Sequence, residues 1–537
     1  MTISEGGTIL KPGTLRASLP PGTHAMGGFE WTSFLIRLGI GIAGCVAVWI
    51  IHKILFGNVF FPLDLYGDEN VLVATGERMD RRGLENSWFR LHKQPGNSFI
   101  VYLFLKLNAL QEVNLPRLRE FFYTFNLFAL TGIGAYAFRK NATAYLTYVL
   151  LVGTSAILTF FMTRIWADLA SGLLCAIAAL IFFRTVLKDR YAPLTYFLVG
   201  AICGLVLYFR SNLLILGPVL FMGGALVIFL SSRTIPLINV RRFVRAGVMG
   251  FALMLGFAAT WGPWVMEASS KNDKLVLHPG FYEDDDETDM HGELKVWALS
   301  PPGAEWGVER TKETFRRTWE RSVEAYEAAY PEEAPLPDTN FRQGGAVARV
   351  VGDWRRLGVD EDRWSEIVYR TYNQQLDEAR ANYTLGSHLH AYYRNFRNLF
   401  TNQNQFVSGA LSKSEIEFQN ETTWPNISKY RYTYGGMQIE PDIWPEPTKW
   451  QALLHLNTII YILIMLGALG CVVRFAIAGT SPAVSMTVIA CFFAFAFMIT
   501  QHPGHGRYVM EFMPAALLGA SAFFGGLLAR FFRPKPA

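Results

Sequence analysis

Charge is scarce in this chain. Asp, Glu, Lys and Arg make up 17% of its 537 residues while apolar types reach 51%, which excludes an ordinary soluble protein of this length and points to a polytopic membrane protein. Cysteine is scarce as well. Cys45, Cys175, Cys203, Cys471 and Cys491 all fall inside apolar runs, so neither a disulfide framework nor a thiolate metal site is expected, and packing is their simplest use. No internal repeat is evident, which removes one frequent mark of a transporter. A cleavable leader is missing too: the first apolar run starts near residue 34 and ends in the bulky "KILFGNVFF" without a small-residue cleavage pattern, so it is expected to stay in the membrane.

What is present is a series of apolar runs long enough to cross a bilayer. They fall at about 34–57, 118–138, 143–162, 168–187, 192–209, 212–231, 246–266, 451–473, 482–500 and 508–530, about ten helices in all. A further run, "SFIVYLFLKLNAL" (Ser98 to Leu110), is short, carries Lys106, and suits a helix lying in the interface. If it does not cross, Arg139/Lys140, Arg184/Lys188/Arg190, Arg233/Arg241/Arg242/Arg245, Arg474 and Arg530/Arg533/Lys535 all fall on one side. By the positive-inside rule that side is cytoplasmic and holds both termini.

The expected organisation is therefore a cytoplasmic tail (1–33), a first membrane part (34–266) with an outer loop at 58–117, an outer domain (267–450), a second membrane part (451–530) and a short cytoplasmic tail (531–537). The outer domain reads as mixed and mostly helical. "LVLHPG" (Leu275 to Gly280) suits a strand and turn; Gly307 to Tyr330 and Asp362 to Leu385 have helical spacing of charge and aromatics, separated by the Pro-rich "YPEEAPLPDTN". Its position suits acceptor capture or a lid, with a scaffold or subunit contact as the plain alternative.

Charges kept at the outer ends of apolar helices carry a desolvation cost and are functional candidates by default. They are Asp68, Arg164, Asp168, Arg210 and Arg507, with His92 and Lys93 in the first outer loop. Arg164 four residues before Asp168 also suits a simple helical ion pair. The acids at the start of the first loop equally suit capping of an interfacial helix. "EDDDETD" (Glu283 to Asp289) lacks the spaced ligands of a calcium loop and reads as a solvated turn. His502 and His505 flank Pro503-Gly504, which favours a turn over a metal site. The sequon at Asn141 falls on the cytoplasmic side of this topology, so it is not expected to be glycosylated.

"DENVLVATGERMDRRGLENSWFRLHKQPGNSFIVYLFLKLNAL" (Asp68 to Leu110) resembles the first outer loop of the GT-C membrane glycosyltransferases, in the group that includes protein O-mannosyltransferases and lipid A aminoarabinose transferases. "SAILTFFMTRIWADLASGLLCAIAALIFF" (Ser155 to Phe183), "GLVLYFRSNLLILGPVL" (Gly204 to Leu220) and "HGRYVMEFMPAALL" (His505 to Leu518) are similar to later landmarks of that group. The turn "HKQPGNS" differs from the double proline of many members.

The resemblance implies an all-α GT-C fold and transfer of a sugar from a polyprenyl-phosphate donor to a lipid, glycan or protein acceptor on the outer face. It implies Asp68 as the base, with Glu69 positioning or contacting the acceptor, and Arg210, Arg507, Arg164 and Lys93 at the donor phosphate. Asp168, His92, His505 and Tyr508 are further site candidates. No cofactor and no metal ligands are indicated, a divalent cation being left open. The partners expected are the donor, the acceptor and membrane lipids, with no nucleic acid; the location expected is a bacterial inner membrane. Two alternatives stand beside this: a transporter or flippase of a lipid-linked anion, and a ligase or polymerase of lipid-linked glycans.

Overall fold

The computed structural model describes residues 31–56, 68–84, 95–108, 113–188, 191–230, 240–271, 275–277, 308–337, 339–341, 350, 353–381, 447–501 and 506–531, with a few single positions between 384 and 393. Every regular element among them is a helix. In lipid this follows from the backbone, whose polar groups find no water and must be satisfied within the segment.

The order is α1 (Trp31–Phe56), α2 (Asp68–Arg82), α3 (Gly96–Leu107), α4 (Leu115–Phe138), α5 (Ala142–Thr154), α6 (Ala156–Thr163), α7 (Ala167–Leu187) and α8 (Pro193–Leu207). A 3-10 turn (Ser211–Ile215) then opens α9 (Leu216–Leu230), followed by α10 (Val240–Lys271), α11 (Val308–Ala329), α12 (Trp354–Leu357) and α13 (Glu361–Ala381). After α14 (Pro447–Ala478) and α15 (Pro482–Gln501), a second 3-10 turn (Gly506–Glu511) leads into α16 (Met513–Phe531).

Seven helices among the described residues are long and apolar enough to cross a membrane, which makes the chain a multi-pass membrane protein whose described elements are all helical. The run expected as one crossing at 143–162 forms the bent pair α5 and α6, which meet at 71° and together are long and apolar enough to cross. Ser155 ends one helix and caps the next, its side chain accepting from the Leu158 N–H, and Asn457 of α14 accepts from the Ile157 N–H at 3.0 Å. Side chains thus satisfy amides that a break inside the bilayer would orphan, which is what tolerates the kink after Gly153-Thr154. The apolar helix α8, Pro193–Leu207, is shorter than the run expected at 192–209, whereas α15 covers the run expected at 482–500.

The helix expected to lie in the interface is α3, whose 12 residues span about 18 Å against a hydrocarbon core of about 30 Å. It packs on α2, which buries a stripe of Glu69, Leu72, Val73, Gly76 and Met79 at helical spacing. Lys106 of α3 bridges to Asp80 of α2 at 2.8 Å.

Bundle helices approach closely where side chains are smallest. A Cβ on Gly200 of α8 would stand 2.0 Å from the Leu253 carbonyl oxygen of α10, and one on Gly256 of α10 would stand 1.9 Å from that of Phe197. Only glycine permits such backbone contact, the usual means of helix association where lipid supplies no hydrophobic drive.

In the segment expected to form an outer domain, Trp319, Tyr326 and Trp364 form a buried aromatic cluster between α11 and α13. The strand expected at Leu275 is absent from the described part, Leu275 to Leu277. There the Val276 N–H donates to Ser269 and the Leu277 carbonyl accepts from Trp261, so α10 takes the groups a sheet partner would need. The acidic run 283–289 and His502 lie outside the described residues.

Candidate functional site

Two buried ionic clusters meet where α2, α4, α7, α8 and the turn before α16 come together. The first is centred on Glu69, fully buried on the inward stripe of α2. Arg119 of α4 grips both of its oxygens, with Nη2 2.7 Å from Oε2, and Arg164 Nη1 lies 3.0 Å from Oε2. The Ile165 N–H donates to Oε1 at 2.8 Å. Both oxygens are therefore engaged by fixed donors, the only economical state for a carboxylate so deep in the protein.

The same donors immobilise the extended link between α6 and α7. Arg119 also donates to the Thr163 carbonyl at 3.0 Å, Asn126 to that of Met162 at 3.0 Å, and Asn97 to that of Ile165. Arg164 lies across the rings of Phe160 and Trp166, 4.5 and 5.5 Å from their centroids. Non-helical backbone at this depth needs every such bond, because a buried unpaired carbonyl costs about 1–3 kcal/mol.

The second cluster follows directly in the chain. Asp168, in the first turn of α7 where helix polarity favours a negative charge, receives Arg210 from the turn after α8. Arg210 Nε lies 3.1 Å from Glu511 Oε1, an ion pair without aligned hydrogen-bond geometry. Its guanidinium stands over Tyr508, 5.1 Å from the ring centroid. Asp168 Oδ2 is buried and has no hydrogen-bond partner among the described residues.

Gly172, one turn along α7 from Asp168, allows this assembly: a Cβ there would come 2.6 Å from the Glu511 carbonyl oxygen, so only glycine admits the turn close enough. The opening of α3 is tied in as well, the Gly96 N–H donating to the Tyr208 carbonyl at 2.8 Å.

Sequence candidates are thus brought together from distant segments, in altered pairings. Arg164 turns to Glu69 and Asp168 to Arg210, not to each other as the four-residue spacing suggested. The reason is that an extended link, not a helix, joins positions 164 and 168. Glu69, expected to position or contact an acceptor, has both oxygens engaged by Arg119, Arg164 and the Ile165 N–H. Arg210, expected at a phosphate, is flanked by two carboxylates. Asp68 is the first residue of α2 and Arg507 belongs to the turn before α16, though the side chains of both lie outside the described residues. Lys93, His92 and His505 lie outside them entirely.

Sequence reasoning missed Arg119, Glu511 and Asn97. Arg119 and Glu511 carried a readable signal, a charge at the end of an apolar helix, whereas Asn97 carried none. Together the two clusters hold three guanidiniums and three carboxylates. Among the described residues no group of three His, Cys, Asp or Glu side chains suits a metal ion. Searches against protein-family models, curated proteins and solved structures return no match for the chain.

Proposed function

We propose that the chain is a GT-C type membrane glycosyltransferase that moves a sugar from a polyprenyl-phosphate donor to a lipid, glycan or protein acceptor. It works at the outer face of a bacterial inner membrane, with both termini cytoplasmic. Among the described residues seven helices are long and apolar enough to cross, or eight with the bent pair α5 and α6 as one, and this reading takes α8 and α15 as two more.

The observation that carries this reading is convergence: the start of α2, the 164–168 link, Arg210 and the 508–511 turn are remote in sequence yet meet at one end of the bundle. Asp68 immediately precedes Glu69, which anchors the start of α2 against that assembly. Asp68 takes the proton of the acceptor hydroxyl as its oxygen bonds the anomeric carbon. The bond from that carbon to the phosphate oxygen breaks, and polyprenyl phosphate leaves with the electron pair. Asp168 and Glu511 fix the orientation of Arg210, which meets the phosphate together with Arg507, Lys93 and His92.

The test is transfer from defined polyprenyl-phosphate sugars by the purified protein and by Asp68→Asn, with donor binding followed in parallel. Transfer should fall about 100-fold to 10,000-fold while binding persists, the range for loss of a general base. Unchanged transfer removes Asp68 from the mechanism.

One observation favours a second reading. Broken helices line the substrate sites of many transporters, and α5 and α6 form such a break. Donor binding without transfer in the unmodified protein would favour a transporter of lipid-linked anions.

A further inference from the structure

At the other end of α7 from Asp168, the structure holds a cavity of about 350 Å3, within the range of small-molecule sites. Arg184, sixteen positions after Asp168, lies about 24 Å away along the helix axis. This site is therefore separate from the ionic clusters above and independent of the proposed transfer reaction.

The cavity is lined by Arg139, Lys140, Arg184 and Lys188, and no acidic side chain is among its described walls. Arg184 is held by the C-terminus of α4: Nη1 donates to the Tyr136 carbonyl at 2.6 Å, Nη2 donates to that of Ala137, and the guanidinium lies 4.5 Å from the Tyr136 ring centroid. These carbonyls are the negative end of the α4 dipole, which the Arg184 guanidinium offsets. Asn141 also lines the cavity, its side chain capping α5 by accepting from the Ala144 N–H at 3.1 Å. Arg139, Lys140 and Lys188 are exposed at the mouth.

A concave site with four cations, at the basic end of a membrane bundle, has the chemistry to take a phosphate group. The geometry points to a phosphate-binding site between the α4–α5 turn and the end of α7. Its ligand is a phosphate-bearing anion, supplied either by the headgroup of an anionic lipid or by a soluble phosphate. Arg184 forms the fixed floor, while Arg139, Lys140 and Lys188 close over the phosphate oxygens.

The experiment uses the full chain in phosphatidylcholine nanodiscs with and without phosphatidic acid, retained lipid being counted by native mass spectrometry and inorganic phosphate added as competitor. Arg139→Gln/Lys140→Gln/Lys188→Gln should lower phosphatidic acid affinity about tenfold or more. Lys140→Glu, a single change at an exposed position, should lower it in the same direction, with helix content checked by circular dichroism. Arg241→Gln/Arg242→Gln, at the basic end but outside the cavity, should leave it unchanged.

Competition by inorganic phosphate supports a site that reads the phosphate itself. Lipid binding lost in the cavity variants but insensitive to phosphate supports a headgroup site that also needs the chains. Saturable binding of inorganic phosphate alone, lost in the same variants, supports a soluble ligand. Equal loss in the Arg241/Arg242 variant, or no loss in the cavity variants, overturns the proposal.

Discussion

Arg119 and Glu69 lie 50 residues apart in the chain and form a fully buried, two-pronged ion pair that joins α2 to α4, a helix long and apolar enough to cross a membrane. Removing one member of such a pair leaves the other charged and unmatched, at about 3–5 kcal/mol. Glu69→Gln is therefore expected to lower the melting temperature of the detergent-solubilised protein sharply. Glu69→Gln/Arg119→Met should recover part of the loss. An unchanged melting temperature in Glu69→Gln would refute the anchoring role of this pair.

Gly172→Ala tests whether backbone proximity builds the second cluster. Its Cβ must displace the Glu511 carbonyl, and with it the carboxylate beside Arg210. Overpacking of this kind costs about 1–3 kcal/mol. Gly256→Ala creates a similar clash against Phe197 in the α8–α10 contact. Melting temperature should fall in both, while sugar transfer measured on the folded fraction should fall in Gly172→Ala alone.

Arg210→Lys keeps the charge and loses the planar fork. It should bind a polyprenyl-phosphate donor about tenfold more weakly, because one charge-assisted hydrogen bond is worth about 1.5–3 kcal/mol. Arg210→Gln leaves Asp168 and Glu511 facing each other, and Asp168→Asn added to it should restore thermal stability without restoring transfer. Recovery of both together would mean that Arg210 serves packing alone.

The cluster of Trp319, Tyr326 and Trp364 has its own pH response. Tyr326 is buried and donates to Glu333 at 2.7 Å; burial first, and then that carboxylate, push its phenol up to about 12. A raised folded-state pKa contributes stability that is complete below the unfolded value of about 10 and is lost as pH climbs toward 12. Near-UV circular dichroism from Trp319 and Trp364 should collapse within that window. Tyr326→Phe should flatten the dependence, and an identical profile in that variant would show that another group controls it.

Which segments would be apolar helices, and that α3 would be too short to cross, was legible in composition and run length alone. Hydrophobicity is local, and in lipid an apolar segment has scarcely any backbone option other than a helix. That Glu69 shares the buried stripe of α2 with Leu72, Val73, Gly76 and Met79 emerged only in the structure. The break at Ser155 was less legible, because it rests on Asn457 from a helix about 300 residues later.

Pairing belongs to the tertiary structure. Spacing allowed Arg164 to pair with Asp168, yet the fold gives Arg164 to Glu69 and Asp168 to Arg210. A buried charge takes the partner that desolvates with it most favourably, and a local ion pair loses to a remote one that packs better. Composition thus determined that this chain crosses a membrane and that charge gathers at helix ends. Only the packing of α2, α4, α7 and α8 with the 506–511 turn decided which charges face each other, because that depends on backbone approach at positions such as Gly172.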